Sequence, residues 1–232
     1  MSSSNKDALK STKVFFMHMS VGDDIIGGHN NWSAPWKAGT NSLGFMFGWI
    51  DKLSDFSSKT LGHVAFGQNG NPTAKINMFQ DRMLKDSYGS AVKVAGYKFC
   101  YNDLKDGTHN VSNVISSYQA SFNTIEAGTS GVSFFHVTTP LQPTGQSDAV
   151  KNNQMRMTFA NFLKTTYTSG RHVVLDLQEI ESTKANSDKC TQSGTPVLCP
   201  EWAYDADGHL SDAAATRAAK AFLYALHVAR GL

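Results

Sequence analysis

Short apolar runs alternate along this chain with longer stretches of helical periodicity. Residues 13–18 (KVFFMH), 61–66, 91–100 (AVKVAGYKFC), 131–137 (GVSFFHV) and 172–175 (HVVL) are rich in Val and Phe and bounded by polar residues or Gly. Each reads as a buried strand. Between them, residues 73–84 put Ile76, Phe79 and Met83 on one helical face, and residues 113–125 form a second helical segment. Residues 148–168 carry Met155, Phe159, Phe162 and Leu163 at helical spacing. A last helix over 212–229 aligns Ala218, Phe222, Ala225 and Leu226, with Ser211 as its N-cap. Strands alternating with helices predict βαβ units and a parallel sheet covered on both faces. Five such strands predict a flavodoxin-like three-layer αβα sandwich. Residues 1–12 read as a polar N-terminal tail and 13–232 as a single domain; no repeat or linker divides them.

Composition narrows the function classes. A 232-residue chain of this kind buries roughly three quarters of its unfolded surface. The net charge is +2 and the basic residues do not cluster, which argues against a nucleic-acid partner. The apolar runs are strand-length, so no membrane span is expected. Residues 1–5 are polar and form no apolar h-region, as in a cytoplasmic chain or a mature one whose signal has been removed. Cys190 and Cys199 lie nine apart in the Ser/Thr/Gly/Pro-rich stretch 187–200. They read as a disulfide closing a polar loop, and so as a secreted or periplasmic protein, or else as two free thiols. Cys100 reads as an inert buried thiol.

Ligands of doubly wound sheets bind beyond the carboxyl ends of the strands. That rule selects Ser20, Gly67, Asn102 and Thr138. Ser20, in MHMSVGDDI, stands where a strand turns into a helix. By itself it reads as an N-cap. His209, in YDADGHLS, lies in a tight acidic loop directly before the final helix. It reads as a surface histidine or, oriented by a carboxylate, as a general base. The glycines of residues 66–72 (FGQNGNP) allow backbone N–H groups close to a ligand, and the Asn102 amide suits an oxyanion. Both segments also suit ordinary turns.

Taken in order, these segments resemble the SGNH/GDSL hydrolase superfamily. It has a serine after the first strand, a glycine after the second, an asparagine after the third and Asp-x-x-His before the last helix. The resemblance spans residues 13–229 and points to a bacterial branch whose first motif is of the His-x-Ser-Val-Gly type. It implies a serine esterase working through an acyl-enzyme on Ser20, with His209 as base. The oxyanion would be held by the Ser20 and Gly67 N–H groups and the Asn102 side chain. No cofactor is expected, and no metal, since neither an H-E-x-x-H nor a paired C-x-x-C pattern occurs. The substrate would be a small-molecule or polysaccharide ester, O-acetyl groups on a carbohydrate among them. An O-acyltransferase, or a non-catalytic glycan-binding or assembly module, has the same fold.

Three positions depart from the superfamily pattern. His18-Met19 replaces Gly-Asp before the serine, Cys100 stands two before Asn102 where Gly is usual, and Ala206 replaces the acid three before His209. The acid is then Asp205, which is preferred, or Asp207; alternatively a backbone carbonyl orients the histidine in a Ser-His dyad. Trp32 and Trp36 either bind substrate, stacking on sugar rings or lining an acyl pocket, or pack under a long loop. Asp23 and Asp24 read as favourable helix-start charges rather than metal ligands. His18 and His63 are further residues for the neighbourhood of the site.

Overall fold

A computed structural model describes residues 3–27, 47–58 and 60–231. The first half of the chain forms α1 (Ser3–Lys10), β1 (Val14–His18), α2 (Val21–Gly27), β2 (Phe47–Trp49), β3 (Leu61–Ala65), α3 (Pro72–Leu84), α4 (Tyr88–Ala91), β4 (Val94–Tyr97) and α5 (Val111–Gly128). The second half forms β5 (Ser133–Val137), α6 (Ala149–Thr166), β6 (His172–Leu175), α7 (Leu177–Glu181), β7 (Thr191–Gln192), β8 (Thr195–Pro196) and α8 (Asp212–Ala229).

The main sheet is parallel, in the order β2-β3-β1-β4-β5-β6. It has six strands rather than the five expected. The extra one, β2, is a three-residue edge strand containing Gly48, too short to show any periodicity. The predicted strand 91–100 shrinks to Val94–Tyr97, although Lys98 N–H still donates to Met17 O at 3.1 Å. Beyond it the chain enters a 3-10 turn at Tyr101–Asp103. Residues 3–10 of the polar N-terminal stretch are helical, and α1 buries Leu9 on the α8 side of the sheet.

Side chains alternate across β1 as a pleated strand requires. Val14 and Phe16 join the core under α2 and α8, where Phe16 lies 5.0 Å from the Phe222 ring. Phe15 and Met17 join the opposite core under α3 and α5, with Phe15 4.5 Å from Tyr88. Three of the four long covering helices, α3, α5 and α8, start on side-chain caps. Asn71 accepts from Ala74 N–H, Asn110 from Asn113 N–H and Ser211 from Ala214 N–H. Each satisfies a donor left free at a helix start.

Polar groups are threaded through this core in directed chains. Glu126 accepts from His172 Nε2 at 3.0 Å, so His172 Nδ1 accepts from His136 Nε2–H at 2.9 Å. His136 Nδ1 then accepts the Tyr118 hydroxyl at 2.8 Å. Burial, then His172, pushes His136 well below the usual imidazole range and keeps it neutral. Nearer the carboxyl ends of the strands, the Arg156 guanidinium donates to Gln142, Asn153 and Tyr101 O. Glu181 is fully buried and accepts Leu141 N–H at 2.7 Å, leaving its second oxygen without a hydrogen bond. Burial pushes its carboxyl up to about 8, against the opposing pull of Leu141 N–H, Lys98 and Arg156.

Cys190 and Cys199 are disulfide-bonded, with Cα atoms 5.3 Å apart. The bond closes the loop carrying the β7–β8 hairpin, next to the 3-10 turn Pro200–Trp202 that leads into the His209 segment. A closed loop of this size stabilises the fold by about 2.5 kcal/mol through the unfolded chain. The Cys190→Ala/Cys199→Ala variant should lower the urea-unfolding free energy by about that amount; an unchanged midpoint would exclude the effect.

A carboxyl raised on folding favours the native state below its unfolded pKa and loses that contribution as pH rises through the folded one. For Glu181 the window runs from the ordinary carboxylate range to about 8. The isosteric Glu181→Gln variant should therefore gain on the parent as pH rises from 5 to 8.5, by on the order of a few kcal/mol. Urea titrations across that range check it, and a constant gap between the two proteins would refute it.

Candidate active site

Ser20 lies in the tight turn joining β1 to α2. Its backbone is left-handed, with φ +53°, a conformation that costs a residue with a Cβ about 1 kcal/mol. The turn is closed by Gly22 N–H on Met19 O and by Asp23 N–H on Ser20 O, at 3.1 and 2.6 Å. It leaves the serine half-buried at the carboxyl end of the central strand.

The partner comes from the other end of the sequence. Ser20 Oγ is 2.8 Å from His209 Nε2. His209 Nδ1 is 2.7 Å from Asp205 Oδ2, and Asp205 Oδ1 accepts the His209 backbone N–H at 3.1 Å. With Nδ1–H donated to the carboxylate, Nε2 is left to accept the serine proton. Burial raises the Asp205 carboxyl, but its hydrogen bonds to His209 outweigh that and hold it below the usual range.

The loop reaches this arrangement through Gly208, at φ +86°, whose N–H closes a turn on Asp205 O at 3.2 Å. The turn folds a residue four positions back beside the imidazole. Asp207 instead turns its backbone N–H toward the Asp205 carboxylate. The ends of the loop are pinned by an Ala203–Leu210 bridge and by Tyr204 N–H on His209 O at 2.7 Å. One further bond joins the two halves of the site: Asp24 Oδ2, from α2, accepts Leu210 N–H at 3.0 Å.

Gly67 and Asn102 come to the same end of the sheet. Strands β3 and β4 flank β1, with His18 opposite Ala65 and Met17 opposite Tyr97. The loops after them therefore emerge on the two sides of the Ser20 turn. Both residues are exposed. Gly67 has φ +63°, and a Cβ there would stand 2.8 Å from Lys75 Cγ, so the loop lies close on α3.

The remaining sequence-derived residues fall as follows. Trp32 and Trp36 lie outside the described residues. His18 and His63 are buried beneath the turn, with His18 Nε2 3.0 Å from His63 Nδ1. His18 Nδ1 lies 3.6 Å from Asp23 Oδ1. Burial, followed by His63 and Lys98, lowers the His18 pKa well below the usual range. Among the described residues no group of three or more His, Cys, Asp or Glu could hold a metal ion. Asp24, read from sequence only as a helix-start charge, is a buried tether to the His209 loop.

Lys75, Lys98, Asp103 and Glu181, to which the sequence assigns no role of their own, are all fully buried. Lys75 gave one usable signal: it precedes the core residue Phe79 by four positions, one helical turn along the buried face.

No family model matches the chain, and no curated protein matches it in sequence. Solved structures do match in shape. A lipase/acylhydrolase from Enterococcus faecalis superposes with a TM-score of 0.55 and 10% identity, over 94% of this chain and 96% of that one. An acetylxylan esterase from Geobacillus stearothermophilus, solved as a catalytic mutant, gives 0.53 and 14%, over 93% and 94%. A peptidoglycan O-acetylesterase gives 0.52 and 13%, over 75% of this chain and 49% of its own. At these identities the likeness speaks for the architecture alone: the chain shares with these solved structures the fold of a parallel sheet between helical layers.

Proposed function

We propose that the protein is a serine esterase that cleaves a carboxylic ester through an acyl-enzyme on Ser20. One observation carries this reading: the unbroken hydrogen-bond series from Ser20 Oγ through His209 to Asp205. Ser20 Oγ attacks the ester carbonyl while His209 Nε2 takes its proton. Asp205 holds the imidazole in the required tautomer and stabilises the imidazolium that forms. The Ser20 and Gly67 N–H groups and the Asn102 amide hold the oxyanion. His209 then protonates the leaving alcohol, and water attacks the acyl-serine by the same route in reverse.

The substrate we infer is a small-molecule or polysaccharide ester, with carbohydrate O-acetyl groups the preferred class. Two structural neighbours, an acetylxylan esterase and a peptidoglycan O-acetylesterase, support that choice. The Cys190–Cys199 disulfide supports an extracellular or periplasmic setting. A non-catalytic module of this fold has no need of a carboxylate at His209 Nδ1, so the Asp205 bond favours turnover. An O-acyltransferase would use the same residues and differ in its acceptor.

Hydrolysis of p-nitrophenyl acetate, with and without an added sugar acceptor, tests the assignment. Ser20→Ala should lose about 10⁴-fold or more in kcat and resist a serine-directed phosphonate. Asp205→Asn should lose about 10³–10⁴-fold, and Asn102→Ala about 10²–10³-fold. Asp207→Asn should stay within about threefold, because Asp207 touches the acid through its backbone. Turnover that survives Ser20→Ala would end the proposal. Acyl transfer to the sugar in preference to water would redirect it to a transferase.

A further inference from the structure

The two loops that flank Ser20 are joined by a buried ion pair. Lys75 Nζ lies 2.6 Å from Asp103 Oδ2, and both side chains are wholly removed from solvent. Asp103 follows Asn102 directly. Its Oδ1 accepts Gly70 N–H at 2.7 Å, from the loop that begins at Gly67. Its Oδ2 also accepts Cys100 N–H at 2.7 Å, at the start of the turn carrying Asn102. Lys75 Nζ in turn donates to Asn69 Oδ1 at 2.9 Å, and its stem is the surface on which Gly67 rests. His109 reinforces the junction. Its Nδ1 accepts Lys105 N–H at 3.1 Å, so its Nε2–H donates to Gly70 O at 3.0 Å.

A buried ion pair is a weak source of stability, because desolvating both charges offsets most of their attraction. An apolar pair of similar volume could fill the same space. It could not hold two separate backbone loops at fixed spacing, because its contacts have no direction. Asp103 accepts three hydrogen bonds with two oxygens, and every partner belongs to one of the two loops or to the lysine that touches the other.

We propose that Lys75 and Asp103 are positioning residues that set the spacing of the oxyanion donors Gly67 and Asn102. This inference rests on the esterase reading above. Neither side chain reaches the substrate. Removing the pair loosens the donors from each other and weakens the binding of charge that develops in the transition state, leaving ground-state binding intact.

The test uses Lys75→Met/Asp103→Leu, which leaves no unpaired charge in the core, and Asn69→Ala, which cuts one tether at an exposed position. Thermal unfolding and circular dichroism establish that each is folded. With p-nitrophenyl acetate, the double variant should lose tenfold or more in kcat with KM within twofold of the parent. Asn69→Ala should lose about threefold in the same way. Affinity for a trifluoromethyl ketone, whose Ser20 adduct carries an oxyanion, should fall in parallel with kcat. In an Asn102→Ala background the Lys75→Met/Asp103→Leu change should cost less than about threefold more, because the donor it positions is gone.

A merely structural pair would multiply in full with Asn102→Ala, and that result overturns the proposal. So does an unchanged kcat in Asn69→Ala, should the double variant fail to fold. Turnover persisting in Ser20→Ala removes the esterase reading and this inference with it. An inactive Ser20→Ala beside unaffected tether variants removes this inference alone.

Discussion

The candidate site takes its position from β1, an inner strand hydrogen-bonded on both edges and buried on both faces. Its four apolar residues Val14, Phe15, Phe16 and Met17 divide two and two between the helical layers. Each contributes roughly 1.5–3 kcal/mol by burial, and a one-residue slip would exchange the two faces. The register with β3 and β4 is therefore strongly specified. Because those neighbours run parallel to β1, their carboxyl ends finish beside its own. The turn that carries Ser20 and the loops that carry Gly67 and Asn102 are neighbours as a result of strand pairing, before any contact among them is considered.

The histidine loop is held differently. It belongs to no strand of the main sheet, and its place depends on side-chain and backbone bonds. Asp24 reaches across from α2 to Leu210 N–H, while Asp205 folds back on His209 through the Gly208 turn. α2 and α8 pack in the same layer, so the helix that follows the serine and the helix that follows the histidine share one core. Sheet pairing gives coarse placement of Ser20 and the loops beside it, and a few hydrogen bonds set their final alignment with His209.

Much of this was legible in the sequence, for physical reasons. The five main-sheet strand cores other than β2 and the long helices show their pattern because each buries a continuous face. Ser211 announces α8 because a cap needs a particular side chain at one position. β2 stayed invisible because three edge residues, one of them glycine, carry no period. Asp205 is the preferred acid because a side chain two residues from the histidine, as at Asp207, points elsewhere in a turn, and the loop brings Asp205 to Nδ1. The Lys75–Asp103 pair was not legible: a lysine on a helix reads as solvated, and only the three-dimensional meeting of two loops reveals its partner. The same holds for Glu181, whose burial follows from the packing of α7 under the Leu141 loop.

Ser20 bears a further consequence through its left-handed backbone. Glycine adopts that conformation without strain, so for folding alone glycine is the better residue at position 20. The hydroxyl sits on a turn whose own conformational preference is for no side chain. Stability and chemistry thus pull in opposite directions at this residue. A sequence drifting toward a more robust turn would keep the fold and lose the proposed nucleophile.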